Sequence, residues 1–277
     1  MLFLYLMYAT VLGAAIGSFL NVVIYRLHSG RTLAGRSACL SCARCLPWYD
    51  LLPVISFIAM RGKCRACRGR ISWQYPLVES LTAVVFFLSV LVFLQSPIGL
   101  LTVLQLSFRL VVWPILIVIL FYDLRHKIIP DGFVFCFVGL ALLYQVVAAL
   151  VIGFDRFFIS DILSGPLLFM FFFLLWFFSK GRWMGFGDAK LALGMGFWLG
   201  LGGGISATVF GFWSGALVGI LLIAFFSLHA RRTRLNGGLK KVTMKSEVPF
   251  APYLIAGVFA VEFLHFSLFN LVWLLNI

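Results

Sequence analysis

Charge is what this sequence has least of: 11% of its 277 residues are Asp, Glu, Lys or Arg, and only nine are acidic. With 63% hydrophobic and 17% aromatic residues and a mean hydropathy of +1.09, that scarcity excludes a water-soluble domain. The first apolar stretch, Met1 to Tyr25, has no basic segment ahead of it and no small-residue cleavage site after it, so it reads as a retained transmembrane helix and not as a signal peptide. A glycine-rich nucleotide loop of the soluble type is also missing, and the sequence identifies no cofactor site by that route.

What is present is a series of apolar runs, each long enough to cross a ~30 Å hydrocarbon core as a helix of roughly 20 residues. The expected architecture is an all-α integral membrane protein of about eight spans, near residues 2–25, 77–95, 101–121, 132–152, 160–179, 188–204, 206–228 and 250–274. The formal net charge of +13 is explained by the cytoplasmic enrichment of Lys and Arg and not by nucleic acid. With a periplasmic N-terminus, 20 of the 22 basic residues fall in cytoplasmic loops, and only Arg109 and Arg156 fall toward the other side. An even number of spans returns the C-terminus to the periplasm. The basic stretch Arg231 to Lys245 reads as a loop facing anionic lipid.

Five of the six cysteines lie in one segment, about residues 26–76, between the first two spans. Cys39 and Cys42 form one C-x-x-C pair, Cys64 and Cys67 a second, and 21 residues separate the pairs, which is the spacing of a two-knuckle zinc site. Disulfides would require a periplasmic loop, whereas the basic charge places this one in the reducing cytoplasm. So small a segment lacks a core of its own, and zinc would supply much of its folding energy. Cys45 extends the first pair and either substitutes in the metal shell or is a spare thiol. Cys136, inside a span, reads as a small core residue. The organisation expected is a first helix (1–25), a cysteine-rich domain (26–76) and a helical bundle (77–277).

With acids so scarce, those at span ends need a reason. Asp123 ends the third span in FYDLRHKIIPD, and Asp188 opens the sixth in MGFGDAKL. Two carboxylates, one ionised and one protonated, can activate a water and polarise a carbonyl together. Gly185 and Gly187 would let a substrate backbone approach. The bland alternative is that Asp188 caps a helix and Asp123 pairs with Arg125 or Lys127. Asp131 and Asp161 read as N-caps of the fourth and fifth spans, Glu79 as a partner for loop arginines, and Pro249 and Pro252 as helix initiators.

These segments resemble those of the type IV prepilin peptidases, a family of GxGD membrane aspartyl proteases. GSFLNVVIYRL (17–27), the cysteine-bearing loop ending in WQYPLVE (73–79), FYDLRHKIIPD, GFGDAKL and VPFAPYLIAG (248–257) occur in the family's order. The resemblance implies Asp123 and Asp188 as the catalytic pair and Cys39, Cys42, Cys64 and Cys67 as the metal set. It implies removal of the basic leader of prepilins and type II secretion pseudopilins at the cytoplasmic face of the inner membrane, and N-methylation of the new terminus from S-adenosylmethionine. The chain departs from the family in carrying His28 where Pro usually follows RL, and in having no glycine after either C-x-x-C pair. The alternatives are a GxGD protease with another membrane substrate, or a transporter or scaffold bearing a zinc knuckle.

Overall fold

The computed structural model describes residues 1–30, 32–153, 156–232 and 249–268, and among them the regular structure is helical, with isolated bridges and no extended strand. In chain order the helices are α1 (Leu2–Ser29), a 3-10 turn (Trp48–Leu51), α2 (Ile55–Ala59), α3 (Gln74–Gln95), α4 (Leu100–His126), α5 (Asp131–Ile152), α6 (Arg156–Ser179), α7 (Phe186–Arg232) and α8 (Ala251–Leu264). Six of them, α1 and α3 to α7, are long and apolar enough to cross a membrane. The chain is a multi-pass helical membrane protein.

The expected sixth and seventh spans are joined in α7, whose 47 residues are interrupted at Gly200 (φ 66°, ψ −176°), within the glycine-rich run LGLGGGIS at 199–206. No residue with a Cβ adopts that conformation easily. Helix α8 has 14 residues, fewer than a span requires. The rest of the expected eighth span, and the basic run from residue 233, lie outside the described residues.

The chain divides into two compact units. In the first (Met1–Phe121 with Leu150–Gly153), α1 packs along α3. Gly13 and Gly17, four apart and therefore on one face of α1, make this possible. A Cβ on Gly13 would lie 2.8 Å from Phe86 Cβ, and one on Gly17 would lie 2.7 Å from Glu79 Cα. Lipid gives little hydrophobic drive to helix pairing, so such close backbone approach is how membrane helices gain dispersion contact. Thr82 and Ser89, buried on α3, donate to the carbonyls of Val78 and Val85 at 2.7 Å each, so neither hydroxyl is stranded.

In the second unit (Tyr122–Ala149 with Phe154–Ile277), α6 packs on α7 and α7 on α8. Ser164 of α6 donates to the Gly196 carbonyl of α7 at 2.6 Å. Phe172 stacks on Phe212 with ring centroids 6.1 Å apart.

Asp161 and Cys136 depart from expectation. Asp161 is not an N-cap: α6 begins at Arg156, a turn earlier than the apolar pattern suggests. Its carboxylate meets the Gln145 side chain and lies against the interruption of α7, where a Cβ on Gly200 would be 2.7 Å from Oδ1. Cys136 is exposed on α5 and is not a core residue. In a membrane bundle the outward face is as apolar as the inward one, so apolarity of a span does not report burial.

Candidate functional site

Helix α7 begins at Phe186, whose ring is held by Phe173 and Trp176 of α6 at centroid distances of 6.3 and 5.1 Å. This fixes the first turn of α7, and Asp188 is its third residue. Its Oδ2 accepts the Gly185 N–H at 3.2 Å, while its own N–H donates to the Gly185 carbonyl at 3.2 Å. An acid at the third helical position reaching back to the amide that precedes the helix is half of a capping box. The bland expectation, a capping aspartate, is therefore realised through one oxygen. The other, Oδ1, is buried without a hydrogen-bond partner, in a residue 4% exposed.

Asp123 lies in the last turn of α4 and is also 4% exposed. The backbone amide of Ala251, at the start of α8, faces its carboxyl. Pro252 sits in the first turn of α8, as expected of a helix initiator. Asp123 Oδ2 is again buried and unpartnered. The charge of Asp123 acts on the carboxyl of Asp188, so the two expected acids lie near enough to interact. The arrangement thus consists of two buried carboxylates, each anchored by one backbone amide and each with one oxygen free. Buried polar atoms are rarely left so, and a pair of them marks a place for water or a ligand.

Two supports of this arrangement have no clear signal in the sequence. A Cβ on Gly187 would lie 2.9 Å from Ile129 Cβ, so this glycine admits a neighbouring segment of the protein and not, as expected, a substrate backbone. Gly185 differs: a Cβ there would meet Asp188 Oδ2 at an ordinary 3.7 Å. Lys190 Nζ pairs with Asp131 Oδ1 at 2.7 Å and lies 5.2 Å from the Phe135 ring and 5.0 Å from the Phe186 ring. Asp131, the first residue of α5, is used for this pair. The only hint of it in the sequence is an acid and a base left over within the two aspartate motifs.

In the first unit the four cysteines of the two pairs converge, all four sulfurs lying within 4.8 Å of one another. Cys39 Sγ and Cys67 Sγ are 3.8 Å apart, far beyond a disulfide bond of ~2.05 Å and close to the ~3.8 Å edge of a tetrahedron with ~2.3 Å zinc–sulfur bonds. Cys45 stays outside this group. The knuckles are built alike. The Cys39 N–H donates to the Arg44 carbonyl and the Ala43 N–H to the Cys39 carbonyl, both at 2.9 Å. The Cys64 N–H donates to the Gly69 carbonyl at 2.9 Å and the Arg68 N–H to the Cys64 carbonyl at 3.0 Å.

The residue after each pair, Ala43 or Arg68, has a left-handed backbone, at φ 58° and 59°. The missing glycines noted in the sequence are missing where the fold wants them. Amides of Cys42 and Ser41 bring the Cys39 thiol down to about 6. Although the Gly69 amide favours its thiolate, Cys67 is pushed up to about 11 by desolvation and by the three neighbouring thiols. A dense thiol cluster of this kind is chemically suited to a soft divalent cation.

Beside the knuckles, a cavity of about 520 Å³ is lined by residues of α1, the loop and α3, among them Asn21, Tyr25, Asp50 and Glu79. Asn21 is 2% exposed; its amide donates to the Tyr75 carbonyl at 3.1 Å and its Oδ1 is unpartnered. Glu79 does not follow the expected pairing with loop arginines. It accepts the Val54 N–H at 2.7 Å, and Ser18 hydrogen-bonds to its side chain. Val54 presents that amide from φ 60°, ψ −47°, a costly conformation for a β-branched residue. Arg65 instead pairs with Asp50, at 2.8 Å.

Two family models match the chain: the bacterial peptidase A24 N-terminal domain over residues 11–93 and the type IV leader peptidase family over residues 110–227. A prepilin leader peptidase/N-methyltransferase of Myxococcus xanthus (strain DK1622) is 32% identical over 226 residues, which is 79% of this chain and 64% of that protein. A type 4 prepilin-like proteins leader peptide-processing enzyme of Escherichia coli O78:H11 is 38% identical over 144 residues, 45% of this chain and 51% of that protein. The match therefore spans less than two thirds of the length of these two relatives. A prepilin leader peptidase/N-methyltransferase of Bacillus subtilis (strain 168) is 30% identical over 255 residues, 89% of each chain. No solved structure matches.

Proposed function

We propose a function from one premise: the chain belongs to the type IV leader peptidase family, whose model covers residues 110–227 and with them Asp123 and Asp188. The chain is, on this reading, an inner-membrane aspartyl endopeptidase that removes the leader of prepilins and pseudopilins. The observation that carries it is the pair of buried, singly anchored carboxylates with one free oxygen each. A water held by the ionised member is deprotonated as it attacks the scissile carbonyl, and the protonated member gives its proton to the developing oxyanion. The Gly185 and Ala251 amides hold the carboxylates in place. We place this chemistry at the cytoplasmic face and both termini in the periplasm, a reading that the basic loops and about eight spans support. Asp123→Asn and Asp188→Asn should each lower leader removal from a matched prepilin by ~10²–10⁴-fold with the protein still folded. Cleavage within a few-fold of the unsubstituted enzyme would sink the assignment.

Relatives named as N-methyltransferases favour a second activity, methyl transfer to the new N-terminus. The peptidase model leaves residues 11–93 to a separate one, so we assign the second activity to the 26–76 domain and the helices flanking it. S-Adenosylmethionine, when bound, supplies an electrophilic methyl group on a sulfonium. The cavity fits such a molecule: it has the size of a small-molecule site, and the free Oδ1 of Asn21 and the carboxylates of Glu79 and Asp50 offer acceptors to a cation rich in N–H donors. Zinc on Cys39, Cys42, Cys64 and Cys67 holds the cavity wall in shape. Equilibrium binding of S-adenosylmethionine should weaken at least tenfold in Asn21→Leu and in Glu79→Gln with leader cleavage retained. Unchanged binding in both would remove the cavity from consideration.

A further inference from the structure

We infer that the groove at the foot of α3 is a binding site for one anionic phospholipid. The groove, about 780 Å³, is lined on one side by Trp73 and Leu77 and on the other by Ile58, Arg61, Lys63 and Arg70. Trp73 immediately precedes α3, a helix long and apolar enough to span the membrane, so its ring stands at the level where hydrocarbon meets headgroups. It is 71% exposed.

The loop segment facing it is built inside out for a water-soluble domain. Helix α2 buries Phe57 but turns Ile55 and Ile58 outward, and Ile58 is 69% exposed. Apolar side chains three apart on one face of a short helix, beside an exposed Trp at a span's start, form a patch suited to acyl chains. Directly beside that patch stand three cations. Lys63 and Arg70 face each other across an antiparallel bridge and so project from the same face of the second knuckle. Arg61 is added by a left-handed turn at φ 52°. None of the three has an acidic partner among the described residues. Unpaired cations above an apolar trough at headgroup depth match a phosphate with its acyl chains below, and not a neutral or cationic ligand. Like charge makes the same rim a poor seat for a basic leader.

The test uses the full chain, purified and reconstituted in nanodiscs. Native mass spectrometry should show phosphatidylglycerol retained in preference to phosphatidylcholine, and the triple variant Arg61→Gln/Lys63→Gln/Arg70→Gln should lose that preference by about fivefold per removed charge. Phosphatidylglycerol brominated on its acyl chains should quench a component of the fluorescence that Trp73→Phe removes. This second readout works on the unsubstituted protein if the triple variant does not fold, and metal content reports whether it has. Equal retention of the two lipids, phosphatidylglycerol retention unchanged in a folded triple variant, or a quenched component that survives Trp73→Phe would each overturn the inference. So would a triple variant that keeps its lipid but loses prepilin binding, which would make the groove a substrate seat.

Discussion

The four-cysteine cluster and the aspartate pair solve opposite problems. Each cysteine knuckle is closed by hydrogen bonds spanning at most five residues, so most of its geometry is local. Asp123 and Asp188 stand 65 residues apart, and each is fixed by an amide that only helix termini can present, Ala251 at the start of α8 for one and Gly185 at the start of α7 for the other. The cluster is strained locally, at Ala43 and Arg68, and a soft cation would complete it. The pair is held by helix packing and keeps two oxygens unused. A site made of turns can tolerate poor backbone choices where a bound metal would compensate them; a site made of helix ends tolerates them only where no neighbour approaches.

Removing the metal should separate the two regions most widely. Cys39→Ser, or treatment with a strong chelator, should lower zinc from about one ion per chain to a small fraction of that. Structural zinc contributes ~10–16 kcal/mol in isolated knuckle peptides, so limited proteolysis should then cut within residues 26–76. If the two regions are as independent as their construction suggests, the Asp123 and Asp188 chemistry should survive in membranes. Loss of both properties together would show that the aspartates depend on the cluster.

A smaller effect separates the two glycines of the GxGD motif. Gly187→Ala should cost ~1–3 kcal/mol through overpacking on Ile129, seen as a lower thermal midpoint in detergent and reduced cleavage. Gly185→Ala should stay within ~0.5 kcal/mol of the parent. Ile129→Gly, which removes all three atoms that the added methyl would meet, should restore part of what Gly187→Ala loses. If the two alanine variants behave alike, the glycines serve the substrate and not the packing.

The smallest effect lies in the knuckles. Ala43→Gly and Arg68→Gly should each relieve ~1 kcal/mol of left-handed strain, partly offset by the greater freedom of glycine in the unfolded chain. Zinc retention against a competing chelator should improve a few-fold. Unchanged or weaker retention would show that the positive φ carries no cost here.

The same difference decides how much of each region the amino-acid sequence discloses. Cys39, Cys42, Cys64 and Cys67 are legible as a cluster because thiols gathered by two turns are written as spacing, and the exclusion of Cys45 is a matter of which residues those turns present. The aspartates are legible as acids at span ends. What surrounds them is not: the Lys190–Asp131 pair joins residues 59 apart, and the Ile129–Gly187 contact depends on how two segments pack. The helices are plain from hydropathy, but Cys136 and Asp161 mislead, since a uniformly apolar span does not say which face turns inward or where its first turn begins. Glu79 misleads because its partner is an amide presented by a strained Val54, and nothing in side-chain chemistry announces that.

The half capping box at the start of α7 does more than begin a helix. Because Oδ2 of Asp188 is committed to the Gly185 amide, the carboxylate cannot swing, and the direction of its free oxygen is set by the same rule that starts the helix. The aim of that oxygen is thus inherited from the backbone and complete as soon as the first turn of α7 forms. It also makes the position intolerant of a close chemical cousin: glutamate would keep the charge and lose the aim, while asparagine would keep the aim and lose the charge.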